Sequence, residues 1–125
     1  MRTIPGMTVL NPSDGVSARA LIKQAVAFDG PAYIRLGRAA VPTFYTEEMA
    51  AKLEIGKGVC LRTGDKKDGK LADATVIATG IMVNEAMLAA EELAANGIEV
   101  RVIDMHTIKP LDADIIYRAA RETGA

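Results

Sequence analysis

Apolar and polar positions along this chain follow two rhythms, one of strands and one of helices. Met7–Leu10 is a short apolar run closed by Asn11-Pro12-Ser13-Asp14-Gly15. Pro12 stops a strand there, and Ser13 or Asp14 can cap a helix. Val16, Ala20, Ile22/Lys23 and Val26/Ala27 then follow a loose helical spacing, which predicts a helix from about Gly15 to Phe28. Asp29-Gly30-Pro31 ends it, and Ala32–Leu36 reads as a second strand. Strand, helix, strand is a βαβ unit, with a crossover that is right-handed in nearly all cases.

From Gly37 to Lys57 the pattern dissolves. Pro42, the aromatic pair Phe44-Tyr45 and a short polar helix over Glu47–Lys52 suggest a linker between two packing units. Gly56-Lys57-Gly58 opens a strand through Val59-Cys60-Leu61-Arg62, and the charged run Asp65–Lys70 is expected as a solvated turn. Ala74–Thr79 is a β-rich run ending at Gly80. Val83, Ala86, Met87, Ala90 and Leu93/Ala94 then form an apolar helical stripe opposed by Asn84, Glu85, Glu91 and Glu92. Asn96-Gly97 stops that helix. Ile98–Met105 alternates as a strand, His106–Pro110 is expected as a turn, and a last helix runs from Leu111-Asp112 to about Glu122. Another parallel strand is due after Ala125, which leaves open whether the reading frame is longer.

The expected fold class is therefore α/β: two partial parallel βαβ units, residues 1–40 and 58–125, joined by a linker over 41–57. Each unit has few strands, so at least one helix face lacks a full sheet to cover it, and stability is expected to be marginal. Composition agrees. Half of the 125 residues are hydrophobic, a quarter are charged and none is tryptophan. The core must be aliphatic, as in sheets covered by helices. Fifteen basic residues against sixteen acidic ones leave a net charge of −1, and no basic stripe points to nucleic acid. No apolar run nears the roughly 20 residues of a membrane span, and the amino terminus has no signal-peptide core. One cysteine excludes an internal disulfide and suits the reducing cytoplasm.

Few positions offer chemistry. Gly80-Ile81-Met82-Val83-Asn84 has a strand–glycine–helix start but no second glycine for close approach to a pyrophosphate. Cys60 has no second cysteine nearby and reads as a buried structural thiol. His106, the one histidine, follows the strand ending Ile103-Asp104-Met105. Open α/β sheets place ligands at such carboxyl ends, so it is either an acid/base or phosphate-touching imidazole or a locally bonded loop histidine. Tyr33-Ile34-Arg35-Leu36-Gly37-Arg38 is the most suggestive stretch. Ile34 and Leu36 face one way and Arg35 the other, while Gly37 lets the chain turn and brings Arg38 toward the same opening. Two guanidinium groups so placed suit bidentate recognition of a phosphate or carboxylate; the alternative is a pair of structural salt bridges.

Five pieces in order, "MTVLNPSD", "GPAYIRLGR..VP", "GKG.CLRTG", "DATVIATG" and "VRVIDMHTIKPLD", resemble the carboxy-terminal half of transketolase-type thiamine-diphosphate enzymes. The likeness is greatest to the carboxy-terminal subunit of split transketolases. 1-Deoxyxylulose-5-phosphate synthases and 2-oxoacid dehydrogenase β-subunits share the layout. The resemblance implies that residues 1–40 end a pyrimidine-binding domain and that residues 58–125 begin a transketolase carboxy-terminal domain. It implies a substrate-phosphate contact at Arg38, with Arg35 matching a second arginine of the synthases, and it gives His106 only a supporting place. Thiamine diphosphate and Mg²⁺ are implied for the complete enzyme. The family's Gly-Asp-Gly motif, its catalytic glutamate and the aromatic residue that stacks on the cofactor have no counterpart here. The expectation is a subunit or fragment that moves two-carbon ketol units between sugar phosphates only with an amino-terminal partner half, in a homo- or hetero-oligomer. The alternatives are a non-catalytic assembly module and part of a synthase-like enzyme.

Overall fold

The computed structural model describes residues 1–66 and 71–125. The charged turn expected over Asp65–Lys70 therefore lies, for residues 67–70, outside the described residues. The first unit forms β1 (Thr8–Leu10), α1 (Gly15–Ala27) and β2 (Ala32–Ile34), with β1 and β2 parallel and Val9 opposite Tyr33; β2 stops two residues short of the expected Leu36 and leaves Arg35 outside the strand. A short α2 (Glu47–Ala50) follows, then β3 (Val59–Arg62) and the second βαβ unit, β4 (Ala74–Ala78), α3 (Met82–Ala95) and β5 (Val100–Asp104). β4 and β5 run parallel in an unbroken register from Ala74 opposite Val100 to Ala78 opposite Asp104. β6 (Thr107–Lys109) and α4 (Ala113–Glu122) complete the described elements.

Each parallel pair gains one antiparallel strand, giving the sheet orders β2-β1-β6 and β3-β5-β4. β6 corrects the expectation of a plain turn at His106–Pro110. After β5 the chain crosses to the first unit and pairs with β1, opposite Val9 and Leu10. Only Met105 and His106 separate the last strand of one sheet from the edge strand of the other.

Three apolar clusters hold the elements. Leu10 and Leu21 pack with Tyr45, Ala50 and Leu53; α3 packs through Val83, Ala86 and Ala90 on Val100 and Val102; α4 packs through Ile115 and Ala119 on Ile103 and Met105. Phe44 and Leu61 touch both of the first two clusters and join them. The segment expected as a linker is therefore anchored to the core at Tyr45, Ala50 and Leu53, which are buried, while much of the rest of it is exposed. Cys60 departs from its expected burial. It stands exposed on β3, an edge strand of its sheet, with its Sγ donating to the Arg62 carbonyl at 3.3 Å. Helix faces remain uncovered, with Val26 83% and Tyr117 63% exposed.

Candidate functional site

The site is built at the carboxyl ends of β1 and β2. Asp14 caps α1: its Oδ1 accepts from Ser17 N–H at 2.8 Å, and its own N–H donates to Ser17 Oγ at 3.0 Å. The other carboxylate oxygen accepts from two backbone N–H groups across the site, Phe44 at 3.0 Å and Tyr45 at 2.9 Å. Burial alone would raise the Asp14 pKa, but the Ser17, Tyr45 and Phe44 N–H donors, with the Ser17 hydroxyl, hold it below the ordinary value.

β2 ends at Ile34, and one more bond, Arg35 N–H to the Leu10 carbonyl at 2.8 Å, continues the pairing. The chain then runs free of regular structure until α2 begins at Glu47. Gly37 packs so closely on the second unit that a Cβ there would lie 2.9 Å from Ile81 Cγ2. Gly37, Ala39 and Val41 wall a 170 Å³ cavity whose other side is the start of α1 and Ile81. Arg38 sits between two of these wall residues. Arg35 and Arg38 are both exposed, and neither guanidinium has an ion pair or hydrogen bond among the described residues. The structure thus brings both arginines to one loop without the salt bridges that were their alternative.

His106 is elsewhere. It has no exposed surface, its Nδ1 meets Thr107 Oγ1 at 3.1 Å, and its Nε2 has no partner among the described residues. Burial pushes its pKa down to about 4, so the imidazole is neutral near pH 7. Its carbonyl accepts from Asn11 N–H at 2.8 Å, which ties β5's end to β1's end. Asn11 in turn packs so tightly on Gly80, whose φ is +59°, that any side chain at Gly80 would clash within 2.7 Å.

Sequence reasoning missed the polar knot beside these residues. Asp104 is fully buried, and its Oδ2 accepts from Ser13 Oγ at 2.7 Å and from the Tyr45 hydroxyl at 2.9 Å, while Oδ1 has no partner among the described residues. Burial pushes its pKa up to about 6 against the two hydroxyl donors, with the Asp14 charge adding to the rise. Burial and the Asp104 carboxylate push the Tyr45 phenol above its ordinary value. Local spacing carries no signal for partners 59 and 91 residues apart. A lone acid ending an apolar strand was the one available hint.

A cleft of 590 Å³ lined by neither arginine lies between residues 52–59 and α4. Its lining mixes Lys52, Lys57 and Arg118 with Asp112 and Asp114 and so favours neither sign of ligand. Among the described residues no group of three His, Cys, Asp or Glu side chains could hold a metal ion, and no helix is long and apolar enough to cross a membrane.

Comparison with known proteins gives these features a context. Residues 1–43 match the family model for the transketolase pyrimidine-binding domain, and residues 66–125 that for the transketolase carboxy-terminal domain. The chain is 46% identical over its whole length to the 6-deoxy-6-sulfo-D-fructose transketolase subunit of Clostridium sp. strain MSTE9, of which it spans 36%. It is 41% identical over 99% of its length to an apulose-4-phosphate transketolase subunit of Phocaeicola vulgatus, spanning 37% of it. Among solved structures, a split-gene transketolase described as an inactive β4 tetramer superposes on 100% of this chain and 39% of its own, with a TM-score of 0.88 and 41% identity. An R525L transketolase variant from Pichia stipitis matches 86% of this chain and 15% of its own, with a TM-score of 0.68 and 27% identity. The chain spans little more than a third of the curated relatives named.

Proposed function

Because this chain belongs to the transketolase family, we propose that it forms the substrate-anchoring part of an enzyme that transfers a two-carbon ketol unit between sugar phosphates. Arg38, with Arg35 beside it, holds the phosphate. The observation that carries this is the pair of exposed guanidinium groups on one loop, neither with an ion pair or hydrogen bond among the described residues. Two neighbouring arginines so placed are free to make charge-assisted, bidentate bonds to an anion. Asp14 forms no ion pair with either arginine among the described residues and instead accepts from three backbone N–H donors. His106 supports the wall behind the loop through its backbone bond to Asn11 and takes no part in proton transfer.

Thiamine diphosphate in the complete enzyme supplies the carbanion chemistry of ketol transfer. The described residues do not fit it: they include no metal-binding set, and the buried carboxylates Asp14 and Asp104 are engaged by N–H and hydroxyl donors. No step here runs through the cofactor. An amino-terminal half, as subunit or as further chain, would bring cofactor, Mg²⁺ and base, and a cytoplasmic setting agrees with the single exposed cysteine. We place the domain limits at 1–40 and 58–125, with 41–57 as a connector anchored to the core. Ketol transfer is favoured over synthase chemistry because the relatives of highest identity named above are transketolase subunits.

In the complete enzyme, inorganic phosphate is expected to compete with a phosphorylated sugar, and Arg38→Ala to relieve that inhibition. Unchanged inhibition in the variant would remove the anchoring role. A second reading, assembly, rests on the uncovered apolar residues Val26, Leu88 and Tyr117 and on the β4 tetramer of the related protein. It expects the chain to sediment as an oligomer; a monomer that binds no ANS would speak against it.

A further inference from the structure

The loop that carries Arg38 is held at both ends, and its far end is fastened to two different units. At its start, Arg35 N–H bonds the Leu10 carbonyl at 2.8 Å. At its end, Phe44 and Tyr45 N–H groups bond Asp14 Oδ2, and the Tyr45 ring passes into the core to give its hydroxyl to Asp104 at 2.9 Å. Asp14 belongs to the first unit, where it also caps α1, and Asp104 ends β5 in the second. Between these ends, Gly37 and Val41 rest near Ile81, and the exposed arginine side chains make no hydrogen bond or ion pair among the described residues.

We propose that Tyr45 is a positioning residue for phosphate recognition: through its hydroxyl bond to Asp104 it fixes the end of the Arg38 loop and so sets where the guanidinium meets the phosphate. This rests on Arg38 being the phosphate anchor. The physical reason is that a loop with both ends fixed samples fewer conformations, and a small displacement of a binding group is expensive in recognition. Tyr45 is 2% exposed, so its hydroxyl has no water to fall back on and must use the carboxylate. Its bond couples the geometry of the Arg38 loop to the packing of β5 against the first unit. A sugar-phosphate site built on one unit is thereby tuned from the other.

The test is a double-mutant cycle in the complete enzyme, read as KM for a phosphorylated sugar and for the same sugar without its phosphate. Tyr45→Phe keeps the ring and deletes the hydroxyl. It is expected to raise KM for the phosphorylated sugar about fivefold with kcat little changed, and to leave the unphosphorylated sugar unaffected. In an Arg38→Ala background the same substitution should add nothing further. Ile115→Val, a buried change on α4 away from the loop and from β5's end, is the control for lost stability and should leave both KM values alone. Equal effects of Tyr45→Phe on both sugars, or an undiminished effect in the Arg38→Ala background, would make Tyr45 merely structural and overturn the inference. So would no effect of Tyr45→Phe beside a phosphate-selective Arg38→Ala, which would leave the anchor standing. A flat Arg38→Ala would sink the anchor and the clamp together.

Discussion

Asp104 and His106 lie two residues apart, both without exposed surface, and burial moves their proton affinities so that their effects on stability oppose. Asp104 titrates near pH 6 when folded and at the ordinary carboxylate value of 3.8 when unfolded. Between those values the folded chain binds the extra proton, so this group's contribution falls as pH rises from 4 to 6. His106 titrates near 4 when folded and near 6.5 when unfolded. There the unfolded chain binds the extra proton, and the contribution rises over the same window. Each slope approaches about 1.4 kcal/mol per pH unit, so they nearly cancel. Denaturant melts between pH 4.5 and 6 should therefore be close to flat in the native protein. Asp104→Asn should make stability rise with pH, and His106→Asn should make it fall. Parallel curves for all three would contradict the burial of both groups. Asp14 and Asp112, held below their ordinary value in spite of burial by N–H donors, act mainly below this window. At this scale the sequence offered Ser13 or Asp14 as the cap and placed Arg35 inside a strand, whereas β2 ends at Ile34 and leaves Arg35 in the loop with Arg38. It could not show that Asp14 also receives the Phe44 and Tyr45 N–H groups, because that bond depends on how the chain returns thirty residues later.

At the scale of elements, helical periodicity located α1 and α3 to within a residue or so of their observed ends, since Asp14 and Asn96-Gly97 are local start and stop chemistry. β6 was illegible for the opposite reason. Its three residues carry no alternation long enough to read, and the bonds that make them a strand come from β1, about a hundred positions away. Cys60 was misplaced because β3 looks apolar in sequence, while its position at a sheet edge is decided by which strands pair. The face that α1 buries gives a direct check. Leu21 is fully buried between β1 and the connecting segment, whereas Val26, five residues on, is 83% exposed. Leu21→Ala should cost roughly 2–5 kcal/mol and Val26→Ala less than about 0.5 kcal/mol in chemical denaturation. Comparable losses would mean that α1 is rotated, or that Val26 is covered in solution.

Across the whole molecule, two short sheets become one structure through shared side chains more than through shared strands. Phe44 and Leu61 pack in two clusters at once, β6 carries the chain from one sheet to the other, and the Ser13–Asp104–Tyr45 knot ties the units by hydrogen bonds. The α/β class and both βαβ units were legible because each is a local pattern. The joint between them was not, since it depends on long-range pairs. The loop that carries the proposed phosphate anchor is thereby tied to both units, by Asp14 in the first and through Tyr45 to Asp104 in the second. Titration calorimetry of the isolated chain with thiamine diphosphate and Mg²⁺ should accordingly give no binding heat; micromolar binding would mean that the cofactor site lies on these residues after all.

The central claim, that Arg38 anchors the substrate phosphate, is tested most directly by one ratio. It is kcat/KM for a sugar phosphate divided by that for the free sugar, measured in the complete enzyme with and without Arg38→Ala. Loss of a charge-assisted contact should lower this ratio roughly 10- to 100-fold. A ratio unchanged by the substitution would show that the phosphate is held elsewhere, and the two arginines would be surface charges.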